Sequence, residues 1–462
     1  MVESADLQNA PRFSPMAALS MVSAATATIL YFLPSPSLVL IFCVLSYAAV
    51  LTYDLRLFGL ADYRTLILVP SGLYAFTGPI WVIVLGHEED FSVDLMARSA
   101  LCTVIYILVF ALVSGLCSRP EARTFRAPAR MKLLWITIGA AFFVYQFYIL
   151  RGALDSGGQS RAEQISGGSA LIGILTYAVF TGIVALFAAL QDDIRALLLD
   201  RGGVSSRQVV GTGQLSTYLP VVAALAMAAT VIISQVVLAG NRREVLGFMA
   251  ALFLVIKPPR LPLWLIAIAA VTAVFAFYLP WLRESPVSQW FDLLINFQSY
   301  FGSVELSNSE FMPFSMIAYI MFAAERVQDA PTYLDALGTF IPKLIWENRP
   351  EPAGQWFVAS YFPEIYNAGG GLAFNAVVES ILNFGYAGIV IAPALLALML
   401  EAVNRLLSNL RLGAAGIIIA STFLMRQDFA TTLKGGVIVI ALMFMWAKIA
   451  GQISNQSIES QI

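Results

Sequence analysis

Apolar residues in this chain come in runs long enough to cross a lipid bilayer, and those runs recur along most of its 462 residues. A bilayer has a hydrocarbon core of about 30 Å, which takes about 20 residues of helix to cross. Inside it every backbone N–H and C=O must be satisfied within the protein, so each run dictates a helix. The runs fall at 15–33, 37–53, 65–85, 95–116, 132–150, 169–190, 218–238, 242–256, 261–280, 373–400, 412–430 and 435–450. We therefore expect an all-α polytopic membrane protein with about twelve transmembrane helices. Nine of them lie in 1–280, a single long loop follows over 281–371, and three more helices lie in 372–462. The first run, Pro15 to Leu33, is long enough to stay in the membrane, so no cleaved signal peptide is expected.

Composition agrees and removes several function classes. The chain is 59% hydrophobic and 12% charged, which is foreign to a soluble globular domain. Its net charge of −2 gives no signal for nucleic acid, and none is expected as a partner. Cys43 and Cys102 sit inside apolar runs and Cys117 ends one; their spacing suits neither a metal site nor a disulfide framework. His87 is the single histidine, beside Glu88 and Glu89 in a short connection, and reads as a solvated residue. No carboxylate cluster points to a metal, and no cofactor is expected.

The connections alternate in charge. Arg119, Arg123, Arg126, Arg130 and Lys132 crowd one connection, which the positive-inside bias places in the cytoplasm. Counting helices from there, Arg56 and Arg64, then Arg195, Arg201 and Arg207, then Lys257 and Arg260, then Arg405 and Arg411 share that side. Both termini are then cytoplasmic, and an even number of helices does place both ends on one side. The opposite face still holds Arg151, Arg161, Arg242, Arg243, Arg283, Arg326, Lys343, Arg349, Arg426 and Lys434. Long translocated loops carry charge freely, which covers Arg283 and Lys343. It explains Arg242, Arg243 and Arg426 poorly, because they stand in tight turns or at helix ends.

Arg242 and Arg243 are the sharpest case. The apolar stretch after them, Val245 to Ile256, spans only about 18 Å at about 1.5 Å per residue. To cross, its helix must include both arginines, at or below the headgroup level. Charges at that depth usually face a cavity or a partner, and a guanidinium pair suits an anionic ligand with bidentate geometry. The plain alternative is a structural pair with Glu244. Arg426 lies at a comparable depth, with an ion pair to Asp428 or Asp335 as its alternative, and Arg326 and Arg349 are loop residues that could simply be solvated.

The long loop holds Tyr333, then Ile341-Pro342-Lys343, then Ile345-Trp346-Glu347-Asn348-Arg349-Pro350, then Gly369-Gly370-Gly371. At the head of the next helix stand Glu379, Asn383, Phe384, Gly385 and Gly388. That ordered set, with the Asn241-Arg242-Arg243 turn upstream and Met425-Arg426-Gln427-Asp428-Phe429 downstream, resembles the Wzy-type oligosaccharide repeat-unit (O-antigen) polymerases. The resemblance covers Gly240 to Lys434; before that only hydropathy speaks.

The resemblance implies a GT-C-like glycosyltransferase architecture in a bacterial inner membrane. It also implies transfer of a growing glycan from polyprenyl diphosphate to the non-reducing end of a new lipid-linked repeat unit, at the periplasmic face. The implied partners are polyprenyl-diphosphate-linked oligosaccharide and membrane lipid. A separate chain-length regulator is compatible with such an enzyme, although the chain carries no motif for one. Fixed guanidiniums would stabilise the leaving diphosphate, with Arg242, Arg243, Arg326, Arg349, Arg426 and Tyr333 as binding residues. Glu379 is the first choice as base for the acceptor hydroxyl, because it stands alone at the start of an apolar helix. Its plain alternative is compensation of the helix dipole. Asp335 is the second catalytic candidate and Glu364 a reserve. An O-antigen ligase is the nearest enzymatic rival; such ligases carry a histidine in the long loop, and 281–371 has none. A flippase or other transporter is the rival without chemistry, but its polar site would sit near mid-membrane on broken helices in both halves.

Overall fold

In the computed structural model the described residues are 35–57, 59, 62–79, 93–117, 130–155, 169–191, 193–194, 213–235, 242–256, 332–341, 345–367, 374–406, 412–421 and 427–450. They form helices and, among them, no strand. In chain order these are α1 (Pro36–Leu57), α2 (Tyr63–Pro79), α3 (Val93–Cys117), α4 (Met131–Asp155), α5 (Ser169–Ala189), α6 (Gly213–Ile233) and α7 (Arg242–Ile256). After the loop come α8 (Ala353–Tyr361), α9 (Pro363–Asn367), α10 (Ala376–Phe384), α11 (Gly388–Leu406), α12 (Leu412–Ser421) and α13 (Phe429–Ile449).

Five stretches are long and apolar enough to cross a membrane: Pro36–Arg56, Val93–Cys117, Met131–Arg151, Ala376–Arg405 and Phe429–Ile449. Shorter apolar helices cover Gly173–Ala189, Leu219–Ile233 and Glu244–Ile256. The protein is thus an all-α protein with membrane-spanning helices. The runs at 15–33 and 261–280 lie outside the described residues. α7 begins at Arg242, as the shortness of the following apolar stretch requires.

Several hydroxyl side chains inside these helices are satisfied within their own helix. Ser71, Ser99, Thr103, Thr181 and Thr230 each donate to the carbonyl four residues earlier. This is the arrangement a hydroxyl adopts where no water is available. α3 is the central helix: 67% of its best apolar window is buried, against 17–39% for the other four spans. A helix apolar on every side belongs inside a bundle. α5 packs on α7 through Phe180 stacked on Phe248 at 4.5 Å, and on α4 and α13 at Gly182. A Cβ on Gly182 would lie 3.1 Å from Ile138 and 3.2 Å from Trp446, a close approach that small residues permit between membrane helices.

The helix ends sort into two groups. At one end Tyr63 donates to Glu401 at 2.8 Å, Arg64 to the Ser114 carbonyl at 3.5 Å, Arg405 to the Cys117 carbonyl, and the Arg130 N–H to Ala450 at 3.2 Å. These are the helix ends that the charge pattern assigns to one face. At the other end the segments 332–341 and 345–367 close over the heads of α10 and α13.

The apolar run at 373–400, which reads as one uninterrupted helix, is broken. α10 ends at Phe384, a 3₁₀ turn covers Gly385–Ala387, and α11 starts at Gly388. Gly385 has φ 61° and ψ −157°, a backbone state open to glycine and costly for other residues. A Cβ on Gly388 would stand 1.9 Å from the Ser380 carbonyl oxygen, so the chain folds back against its own backbone there. α11, with 19 residues, spans about 28 Å on its own. That leaves α10 to form the head of the site.

Candidate functional site

Three helix N-termini converge at this end, joined by two carboxylates. Asn375 caps α10, its Oδ1 accepting from the Val377 N–H at 2.7 Å. Asp428 caps α13, its Oδ1 accepting from Thr431 at 2.7 Å, while its Oδ2 accepts from the Gly354 N–H of α8 at 3.0 Å. Glu379 projects from α10 and its Oε2 accepts from the Phe429 N–H, the first residue of α13, at 2.6 Å. Unpaired N–H groups at a helix start favour such oxygen acceptors. Both oxygens of Asp428 are therefore engaged. Glu379 has one engaged oxygen; Oε1 makes no hydrogen bond among the described residues.

Glu379 is 2% exposed, yet it opens on a cavity of about 210 Å³. Tyr106, Tyr333, Phe384, Gln427, Phe429 and Thr432 line the cavity around it, and Ala392, Leu395, Leu396 and Met399 of α11 continue the wall. A lone carboxylate oxygen facing an otherwise apolar hollow can accept a proton or orient a hydroxyl of whatever enters.

Tyr333 closes this end. Its N–H donates to Asn383 Oδ1 at 2.7 Å, and Asn383 Nδ2 donates to the Glu379 carbonyl at 2.9 Å. Its ring packs against Phe384 at 5.7 Å and edge-on against Phe429 at 5.0 Å. Burial first, then the neighbouring Tyr106 and Glu379, holds the phenol well above the usual tyrosine range, so it stays a neutral hydrogen-bonding group. The Glu-x-x-x-Asn-Phe-Gly-x-x-Gly pattern thus has a physical basis at every fixed position. Glu379 faces the cavity, Asn383 holds the loop, Phe384 backs Tyr333, and Gly385 and Gly388 make the break.

The loop motif builds the cover. Residues 335–340 form a 3₁₀ turn, and Trp346 lies against Gly338, where a Cβ would be 3.3 Å from the indole. Arg349 Nη1 donates to the carbonyls of Thr339 at 3.3 Å and Ile341 at 2.8 Å, so among the described residues its role is to brace this turn. Asp335 starts the turn, with Oδ2 accepting from the Thr332 N–H at 2.7 Å and the Thr332 hydroxyl at 2.8 Å. It does not line the cavity. Glu364 is exposed in the first turn of α9. Arg326 and Arg426 lie outside the described residues, as do the side chains of Arg242 and Arg243 and the glycine run at 369–371.

The structure therefore brings together Glu379 and Tyr333, and adds three residues that sequence reasoning did not single out as site residues. Gln427 and Asp428 follow Arg426, and Asp428-Phe429-Ala430-Thr431 carries the spacing of an N-cap. Tyr106 gives no signal at all, being one hydroxyl in the middle of a long apolar run. Among the described residues no group of three or more His, Cys, Asp or Glu side chains comes together. No protein-family model matches the chain, and neither a curated protein nor a solved structure matches it.

Proposed function

We propose that this protein polymerises lipid-linked oligosaccharide repeat units at the non-cytoplasmic face of a bacterial inner membrane, as the Wzy-type polymerases do. In the transfer step the acceptor hydroxyl gives its proton to Glu379 Oε1 and its oxygen attacks the donor's anomeric carbon. The bond from that carbon to the diphosphate oxygen breaks, and polyprenyl diphosphate leaves with the electron pair. Arg242, Arg243 and Arg426 are the residues proposed to receive the negative charge, without a divalent ion.

The observation that carries this reading is that Glu379, 2% exposed, lines a cavity walled by membrane helices while only one of its carboxylate oxygens is engaged. A carboxylate that only served the α13 N-terminus could be placed there without a hollow beside it. The described residues of the ordered motif support it too, since Tyr333, Glu379 and Phe384 line that cavity. The reading is tested by supplying purified protein with lipid-linked repeat units. A ladder of lengthening glycans on the lipid is expected, and it should persist in excess EDTA. Hydrolysis without extension, or extension only when Mg²⁺ or Mn²⁺ is restored, would overturn it.

A further inference from the structure

The cavity is polar at one end and apolar along the rest. Glu379, Gln427 and the two tyrosines gather at the head, and from there the wall runs down α11 through Leu395, Leu396 and Met399. Ala392 to Met399 is about 10 Å of helix at about 1.5 Å per residue. Leu396 is 7% exposed, whereas Leu395 beside it is 56% exposed, and Phe384 at the rim is 41% exposed. α11 belongs to a membrane-spanning stretch, so its exposed apolar side chains face lipid. One wall of the cavity is thus formed by residues that also form the bilayer-facing surface, and the hollow is continuous with the membrane along that edge.

We propose that this groove, between α11, Tyr106 of α3 and Thr432 of α13, is the seat of the donor's polyprenyl chain, admitted sideways from the bilayer with its sugar end at Glu379. The inference rests on the transfer reaction proposed above and names where its lipid lies. An apolar chain gains nothing by leaving lipid for a dry apolar wall in general. It gains a fixed position here, because the groove leads to the cavity head that Glu379 lines. The seat sets the depth of the chain and, through it, the height of the reacting carbon. α11 bears Pro393 at the top of this wall, where the missing N–H leaves a carbonyl one turn back without its helical donor, a natural place for the helix surface to open.

The test uses the full-length protein in vesicles and a radiolabelled polyprenyl monophosphate carrying a photoreactive diazirine in the isoprene units next to its phosphate. Illumination is expected to attach the probe to the Leu395–Met399 segment of α11. Replacing Leu396→Trp fills the groove, and adduct yield is expected to fall roughly tenfold, the factor that about 1.4 kcal/mol of overpacking supplies. Leu398→Trp, on the exposed face of the same helix, controls for folding and is expected to keep the adduct. Adducts spread evenly over lipid-facing helices, or suppression of the α11 adduct by excess phospholipid alone, would overturn the proposal. Adduct formation by a protein that makes no polymer would keep the seat and discard the transfer reaction. Polymer formation with no α11 adduct would do the reverse.

Discussion

Two glutamates stand on the two halves of one broken helix, and both are buried: Glu379 is 2% and Glu401 5% exposed. Glu401 accepts from the Tyr63 hydroxyl at 2.8 Å through Oε2 and from Arg405 Nε at 3.4 Å through Oε1. Around it Arg64 holds Asp62 with two bonds of 2.7 and 2.9 Å. Glu379 has one oxygen tied and one facing a hollow. Burial of a carboxylate is therefore not itself a sign of chemistry. The difference is a free valence and a space beside it. The Glu401 end is a strut joining α2, α3 and α11, and the Glu379 end is a candidate site built on the same helix pair.

The largest effect is expected at the break between the two halves of the helix. Gly388→Ala would drive a Cβ to 1.9 Å from the Ser380 carbonyl, and that contact is with backbone, which cannot turn aside. We expect loss of folded protein in membranes, measured as the monodisperse fraction after detergent extraction. Normal yield would mean that the break is not fixed by that contact.

The arginine arm comes next. Arg242→Ala and Arg243→Ala are each expected to lower polymerisation by roughly a hundredfold or more, since losing one partner of a desolvated charge pair commonly costs about 2–5 kcal/mol. The lysine variants are expected to be impaired as well, because an ammonium cannot make the bidentate contact. Polymer length and rate at matched membrane abundance give the answer, and near-normal polymer from an alanine variant removes that residue from the site.

Glu401→Ala has a smaller effect of another kind. It leaves the buried Tyr63 hydroxyl without its acceptor, which costs about 1–3 kcal/mol, so Tm falls while turnover per folded molecule is kept. Arg405, with 61% of its side chain exposed, adds little to that loss, since exposed ion pairs contribute about 0–1 kcal/mol. The smallest expected change is Asn383→Ala. It removes one bond from Tyr333 N–H and loosens the cover by about 1 kcal/mol, read as faster hydrogen exchange in 332–341 with the spans unaffected.

Most of the fold was legible because the bilayer leaves the backbone so few choices. The described residues of the long apolar runs are largely helical, but 373–400 is broken and the expected helix 412–430 is divided at Gln427 and Asp428, with α13 starting at Phe429 because Asp428 caps it there. α7 starts at Arg242 because the stretch after it is too short without it. Glu379 stood out for a related reason, as a single carboxylate at the head of an apolar run, and it is buried beside a cavity. The break at Gly385 was not legible, because residues 373–400 are apolar throughout and hydropathy is blind to φ. The glycines of the pattern held that information only as a resemblance. Tyr106 was out of reach, since its place beside the cavity depends on how α3 packs against α10 and α11. Asp335 and Arg349 were legible as special loop residues, but nothing in their spacing says that one anchors and the other braces the same 3₁₀ turn.

The central claim is that Glu379 does chemistry and Glu401 does not. Its most direct test is single-turnover transfer by Glu379→Gln, with lipid-linked substrate binding and Tm measured on the same preparation. Glutamine keeps the size and the acceptor for the Phe429 N–H, so binding and Tm are expected to stay close to the parent protein. Turnover is expected to fall by about 10²–10⁴-fold, the range general base catalysis supplies. Parent-level turnover by Glu379→Gln, or a loss no larger than its loss of folded protein, would contradict the claim and make Glu379 a second strut.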